Sequence, residues 1–141
     1  MPRAPNCNKR RGAETELLFL HEAWKRGLTV AHPYGDLAPY DFIVDAGGTL
    51  KRVQVRLLSD PEHGSTVGSG HGRGQRKPYT KAEIDVLAVY AAQTPAWYLI
   101  PVEAFAGIRR LRLAPHLPHG RGKFEKWRDA WHTLTGKKSA K

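Results

Sequence analysis

The stretch Tyr34–Leu58, YGDLAPYDFIVDAGGTLKRVQVRLL, decides the fold. Two apolar runs, Tyr40–Val44 and Leu50–Leu58, are rich in Val, Ile, Leu and Phe. Between them lies Asp45-Ala46-Gly47-Gly48-Thr49, whose glycines supply the positive φ that a tight hairpin needs. The pattern predicts two antiparallel strands.

Polar groups stand where a core hairpin should not carry them. Asp41 opens the first strand beside Tyr40 and Phe42. Gln54 and Arg56 lie two apart in the second strand and so point to one face, leaving Val53, Val55 and Leu57 to line the other. A carboxylate, an amide and a guanidinium on one side of a hairpin suit a divalent cation and a phosphate. Hard cations such as Mg2+ take oxygen ligands, and the Asp carboxylate, the Gln carbonyl and a backbone carbonyl all qualify.

At these residues the chain resembles the PD-(D/E)XK nuclease superfamily, in which an Asp opens one strand and a Glu or Gln and a Lys lie two apart on the next. Pro39-Tyr40-Asp41 matches the first half and Gln54-Val55-Arg56 the second, with Arg56 in the lysine's place. The superfamily often carries a Glu on its first helix, in a pattern similar to Lys-Gly-x-x-x-Glu. Arg11-Gly12-Ala13-Glu14-Thr15-Glu16 matches it with Arg for Lys. The resemblance implies a Mg2+- or Mn2+-dependent endodeoxyribonuclease. Glu16, Asp41, Gln54 and the Val55 carbonyl would hold the metal, and Glu16, Asp41, Gln54 and Arg56 would form the catalytic set. Arginine stabilises charge and clamps phosphate but cannot release a proton near neutral pH, as a buried lysine can. Lys51 and Lys81 are possible stand-ins, although Lys51 falls on the opposite face of its strand. Asp36 is an alternative to Asp41, but it sits in a Gly/Pro loop where Asp is common for turn reasons alone.

The rest of the chain is read around this hairpin. Residues 1–12 form a basic, proline-bearing arm in which Lys9, Arg10 and Arg11 can reach phosphate. A helix is predicted over Ala13–Arg26, with Leu17, Leu20 and Trp24 as its apolar stripe, Glu14 and Glu16 in its first turn, and Gly27 as the stop. A short strand, Leu28–His32, leads into the hairpin. Residues 59–80 read as a Gly-rich basic loop that orders on a nucleic-acid backbone through Arg73, Arg76 and Lys77, with Lys81 just beyond it as a further DNA contact. It lacks the closing Gly-Lys-Ser/Thr of a P-loop, and His63 and His71 make a poor metal signature. Strands are predicted over Ile84–Tyr90 and Ala96–Ile100, a helical turn over Val102–Ala106, and an Arg-bearing edge strand over Ile108–Leu113. A final helix is predicted over Lys123–Thr135, with Phe124, Trp127, Ala130, Trp131 and Leu134 on one face, before a basic tail at 136–141. One domain, 13–135, therefore carries the order helix, strand, hairpin, strands, helix. That order gives an α/β sandwich with a mixed central β-sheet flanked by helices. It is also the order expected of the restriction-endonuclease-like fold that the resemblance implies.

Composition narrows the partners. The 141 residues carry 23 Lys+Arg against 13 Asp+Glu, a formal net charge of +10. A surplus of that size calls for a polyanion, nucleic acid before membrane. Cys7 is the single cysteine, which excludes an intramolecular disulfide and a Cys-based zinc site. No apolar run approaches the ~20 residues of a membrane span, and no signal-peptide core is present, so a cytoplasmic location is expected. Small basic members of the superfamily include archaeal-type Holliday-junction resolvases, which act as dimers. The GDLAPYDFIVD…VQVR layout with the later WYLIP also resembles a branch of intron-encoded homing endonucleases. With no separate recognition domain evident, shape-selective cutting of branched DNA by a homodimer is the leading expectation. Site-specific cutting of duplex DNA and a decayed DNA-binding module are the alternatives.

Overall fold

A computed structural model describes residues 7–58, 66–71, 77–92, 94–115 and 122–136. Five strands form the main sheet in the order β1-β2-β3-β7-β8: β1 Thr29–Ala31, β2 Phe42–Ala46, β3 Thr49–Leu58, β7 Val86–Ala91 and β8 Ala96–Pro101. All neighbours are antiparallel except β3 and β7, which run parallel from Val53↔Val86 to Leu58↔Ala91. The sheet is therefore mixed, as the element order implies. The β2–β3 hairpin closes through Gly47 and Gly48, both at positive φ, and Asp45 Oδ1 accepts the Gly48 N–H at 2.8 Å. Two successive positive-φ residues make the turn whose twist matches the flanking strands.

Both faces of the sheet are buried. On one, Val53, Val55, Val86, Ala88, Trp97 and Leu99 pack under the helix α1, Cys7–Lys25, and the C-terminal segment that carries Trp131 and Leu134. Phe19 of α1 sits at the centre, its ring 5.6 Å from Phe42 and 5.6 Å from Trp97. On the other face, Leu58, Leu87, Val89, Tyr98 and Ile100 meet Tyr79, Ile84, Phe105 and Leu111. Parallel strands require a crossover between them, and Tyr79 and Ile84 of the β3–β7 connection help to cover this second face.

Helix α1 departs from the expected boundaries and register. It begins at Cys7, so residues 7–12, read above as part of an arm, are helical, and Glu14 and Glu16 lie beyond its first turn. Its buried face is Thr15, Phe19 and Ala23, one per turn, whereas Leu17 and Trp24 are 64% and 80% exposed. Phe19 outcompetes them by packing its ring against Phe42, Trp97 and Trp131 in the core. The predicted stop holds: Gly27 has φ 75°, and the Leu28 and Gly27 N–H groups donate to the carbonyls of Ala23 and Trp24.

The segment read as a Gly-rich loop contains three short strands: β4 Thr66–Gly68, β5 Gly70–His71 and β6 Lys77–Pro78. β5 pairs with β6, and β4 pairs with β9, Arg110–Arg112. The Arg-bearing edge strand thus belongs to a separate two-stranded ribbon, with Arg110 and Arg112 exposed and Leu111 and Val67 buried. Arg73, Arg76 and His63 lie outside the described residues. The predicted C-terminal helix is broken into a 3-10 turn at Glu125–Trp127 and one helical turn, α2, at His132–Thr135. Asp129, at φ 52°, interrupts it and donates its N–H to the Trp97 carbonyl at 2.7 Å. Phe124 consequently packs on one side of the sheet and Trp131 and Leu134 on the other. A backbone bond to the sheet and burial of aromatics on two faces outweigh the helical pattern.

Candidate active site

Asp41 lies just before β2, where the chain joins the sheet. Its N–H donates to the Val53 carbonyl at 2.9 Å, and its Oδ2 accepts the Val55 N–H at 2.8 Å. The side chain is therefore pinned to β3 between Gln54 and Arg56. Their register partners on β7, Leu87 and Val89, belong to the core on the Tyr79 side, so Gln54 and Arg56 share that face. Gln54 is only 9% exposed. Lys51 has the parity of Val53 and Val55 and so falls on the α1 side, as expected.

Glu16, on α1, lies within electrostatic range of Asp41. Burial raises its pKa, and the negative charge of Asp41 raises it further, opposed by His32. Burial likewise raises the pKa of Asp41, against the Val55 N–H and the charges of Arg56 and His32, which favour the carboxylate. Two half-buried carboxylates that repel one another make a place for a cation. Asp36 adds a third negative charge within range of both, but it is exposed on a turn at φ 58°.

Sequence reasoning missed two neighbours. His32 Nδ1–H donates to the Asp41 backbone carbonyl at 3.0 Å, bracing the turn that presents the carboxylate. Tyr79 accepts a hydrogen bond on its hydroxyl from Arg56 Nη2 at 2.9 Å. Neither carries a motif, because each is brought in by the tertiary path of a loop. A cleft of about 490 Å³, lined by Glu16, Leu17, Leu20, His32 and Phe42, opens beside the carboxylates.

Lys81 is engaged elsewhere. Its Nζ pairs with Asp85 at 3.2 Å and Glu103 at 3.0 Å. Asp85 also binds Arg52 through the backbone N–H, 2.8 Å, and Nε, 3.1 Å. Burial disfavours the Asp85 charge, yet the bonds from Arg52 and Lys81 together hold its pKa down to about 2. Arg10 and Arg11 lie exposed on the first turns of α1, and Lys77 is exposed on β6.

A family model described as PD-(D/E)XK endonuclease matches residues 7–134. The chain belongs to the PD-(D/E)XK endonuclease family. Among solved structures, this endonuclease-family chain is similar to a bacterial homing endonuclease, I-Ssp6803I. The TM-score is 0.76 and the identity 25%, over 93% of this chain and 95% of that one. It also shares its fold with Hjc, a Holliday junction resolvase of Archaeoglobus fulgidus. There the TM-score is 0.51 and the identity 16%, over 75% of this chain and 87% of that one. No curated protein sequence matches it. PD-(D/E)XK nucleases generally use divalent metal ions. The carboxylates of Glu16 and Asp41 fit such an ion in kind, as hard oxygens, whereas the Gln54 side chain lies on the Tyr79 face of β3, the face opposite α1. Among the described residues no three His, Cys, Asp or Glu side chains close into a metal cage.

Proposed function

We propose that the protein is a metal-dependent DNA endonuclease that cuts duplex DNA at a specific site. The observation that carries this reading is that the Glu16 and Asp41 carboxylates lie near enough for one charge to act on the other, with Arg56 acting on Asp41, in a chain that the endonuclease family model spans. The near full-length similarity to the homing endonuclease favours a duplex site over a branched substrate. Cutting of branched DNA by a resolvase-like homodimer is the second reading, supported by the shared fold with the archaeal enzyme.

In this reading Glu16, Asp41, the Gln54 amide oxygen and the Val55 carbonyl would hold Mg2+ or Mn2+. A divalent cation there supplies a Lewis acid against phosphate charge and lowers the pKa of a water. The Val55 N–H and His32 keep Asp41 in place. Glu16 would take the proton that the attacking water loses as its oxygen bonds to phosphorus, and the oxygen released as the other P–O bond breaks would take up a proton from solvent. Arg56 neutralises charge on the pentavalent phosphate without itself moving a proton.

DNA meets a cationic surface. Arg110 and Arg112 point outward from the β4–β9 ribbon with Arg109 beside them, and a two-stranded ribbon fits a major groove about 12 Å wide. Arg10, Arg11 and Lys77 add positive charge, and Arg73 and Arg76 would extend it. The exposed Leu17, Leu18 and Trp24 on α1 are the surface we assign to a second copy. No helix among the described residues is long and apolar enough to cross a membrane.

A cleavage assay with Mg2+ or Mn2+ on plasmid DNA, a four-way junction and its separate duplex arms tests both readings. A unique duplex cut supports the first and junction-only cutting the second. Binding without cutting of any substrate overturns both.

A further inference from the structure

Among the described residues Arg56 is held at one nitrogen. Its Nη2 donates to the Tyr79 hydroxyl, while Nε, fully buried, has no acceptor among the described residues. Tyr79 is itself 3% exposed and fixed at both ends. Its ring packs in the core with Ile84, Leu87 and Phe105. Its N–H donates to the Ser69 carbonyl at 3.1 Å. Ser69, wholly buried, binds the far side in turn: its N–H donates to the Arg109 carbonyl at 3.0 Å and its Oγ to the Ile108 carbonyl at 2.7 Å. The phenol oxygen is thus a fixed point, tied through its backbone to the chain entering β9.

A fixed acceptor matters more to arginine than to lysine. An ammonium is a point charge on a flexible stem, and its direction hardly matters. A guanidinium is a planar fork, so anchoring one nitrogen orients the whole plane. At a reaction centre, the orientation of a charged donor decides whether it meets the oxygen where charge develops.

We propose that Tyr79 is a positioning residue whose hydroxyl sets the plane of the Arg56 guanidinium, so that its remaining N–H groups face a phosphate oxygen of bound DNA. The inference rests on the nuclease reading above and explains how an arginine serves in the lysine's place. Burial raises the pKa of the Tyr79 hydroxyl, so it stays protonated at neutral pH despite the Arg56 charge beside it.

Tyr79→Phe removes the acceptor and keeps the packed ring, so the test compares the full chain with Tyr79→Phe, Arg56→Lys and the double variant. Cleavage kinetics, thermal melting and side-chain 15N NMR of Arg56 are measured on each arginine-bearing form as applicable. The expected result is a tenfold to hundredfold fall in kcat for Tyr79→Phe, on the order of the loss from a misplaced catalytic group. KM should stay within about twofold, as expected for an interaction made in the transition state, and melting should fall only by the few degrees that loss of one hydrogen bond costs. In the Arg56→Lys background the same change should cost less than about twofold, because no plane remains to be set. Rotation about the Arg56 Cζ–Nη bond should quicken in Tyr79→Phe. An unchanged kcat, or an equal fall in both backgrounds, overturns the proposal. If the native chain cuts no DNA, the nuclease reading fails and the NMR decides alone: quickened rotation upholds the positioning, unchanged rotation overturns it.

Discussion

Asp41 is bonded to β3 twice, by its backbone N–H to the Val53 carbonyl and by its Oδ2 to the Val55 N–H. The carboxylate therefore keeps its place whether or not a ligand is bound, and its charge can be removed without moving it.

Asp41→Asn tests this directly. The amide oxygen can still accept the Val55 N–H, so folding and DNA binding should persist, with binding within about threefold of the native chain. Cleavage should fall on the order of a hundredfold or more. Gel-shift and plasmid-nicking assays on one preparation check both halves. Retained cleavage would place the metal elsewhere.

The two raised carboxylates make stability depend on pH. A carboxyl whose folded pKa exceeds its unfolded value binds more protons in the native state, so stability falls as pH rises from the unfolded to the folded value. Glu16→Gln should therefore melt at or above the native temperature at neutral pH, and the gain should vanish below the ordinary carboxylate range. Added Mg2+ or Mn2+ should raise the melting temperature of the native chain and not that of a Glu16→Gln/Asp41→Asn variant. Thermal melts across pH, with and without metal, decide it.

Arg56 cannot deprotonate in the accessible pH range. The rate should rise with pH as Glu16 and Asp41 ionise and then stay level through the lysine range. Arg56→Lys should retain some cleavage and show a new alkaline decline, read from kcat/KM against pH.

Asp85 behaves in the opposite sense. Its folded pKa of about 2 is below the unfolded value, so its contribution is full above the unfolded value and is lost as pH falls through about 2. Asp85→Asn leaves Arg52 and Lys81 without their shared carboxylate and should cost about 2 kcal/mol at neutral pH. Urea denaturation near neutrality and at the acid limit measures the difference.

Arg110→Ala and Arg112→Ala remove exposed charges that have no ion-pair partner among the described residues. Each should lower the salt dependence of DNA binding by about one unit of the log–log slope and leave the melting temperature unchanged. An unaltered slope would take the ribbon off the DNA.

The hairpin was legible because its signals are local: alternation, two glycines and polar residues at fixed spacing. Asp41, Gln54 and Arg56 could be assigned to one strand pair for that reason. The buried face of α1 was not legible, because Leu17 and Trp24 offer as good a helical stripe as Phe19 and Ala23, and only the sheet chooses between them. Likewise the stripe from Phe124 to Leu134 satisfies a helix on paper, but Asp129 bonds to Trp97 across the fold. Tyr79 and His32 were beyond reach for the same cause: their roles arise from contacts distant in sequence.

The alternation along β9 separates two jobs at adjacent positions. Leu111 and its partner Val67 seat the ribbon in the protein, while the side chains on either side of Leu111 face outward and bear no part of that packing. If the ribbon meets DNA as proposed, substitutions at 110 and 112 would alter that contact without disturbing the packing of Leu111 and Val67, which makes this short strand the natural place to retarget the molecule.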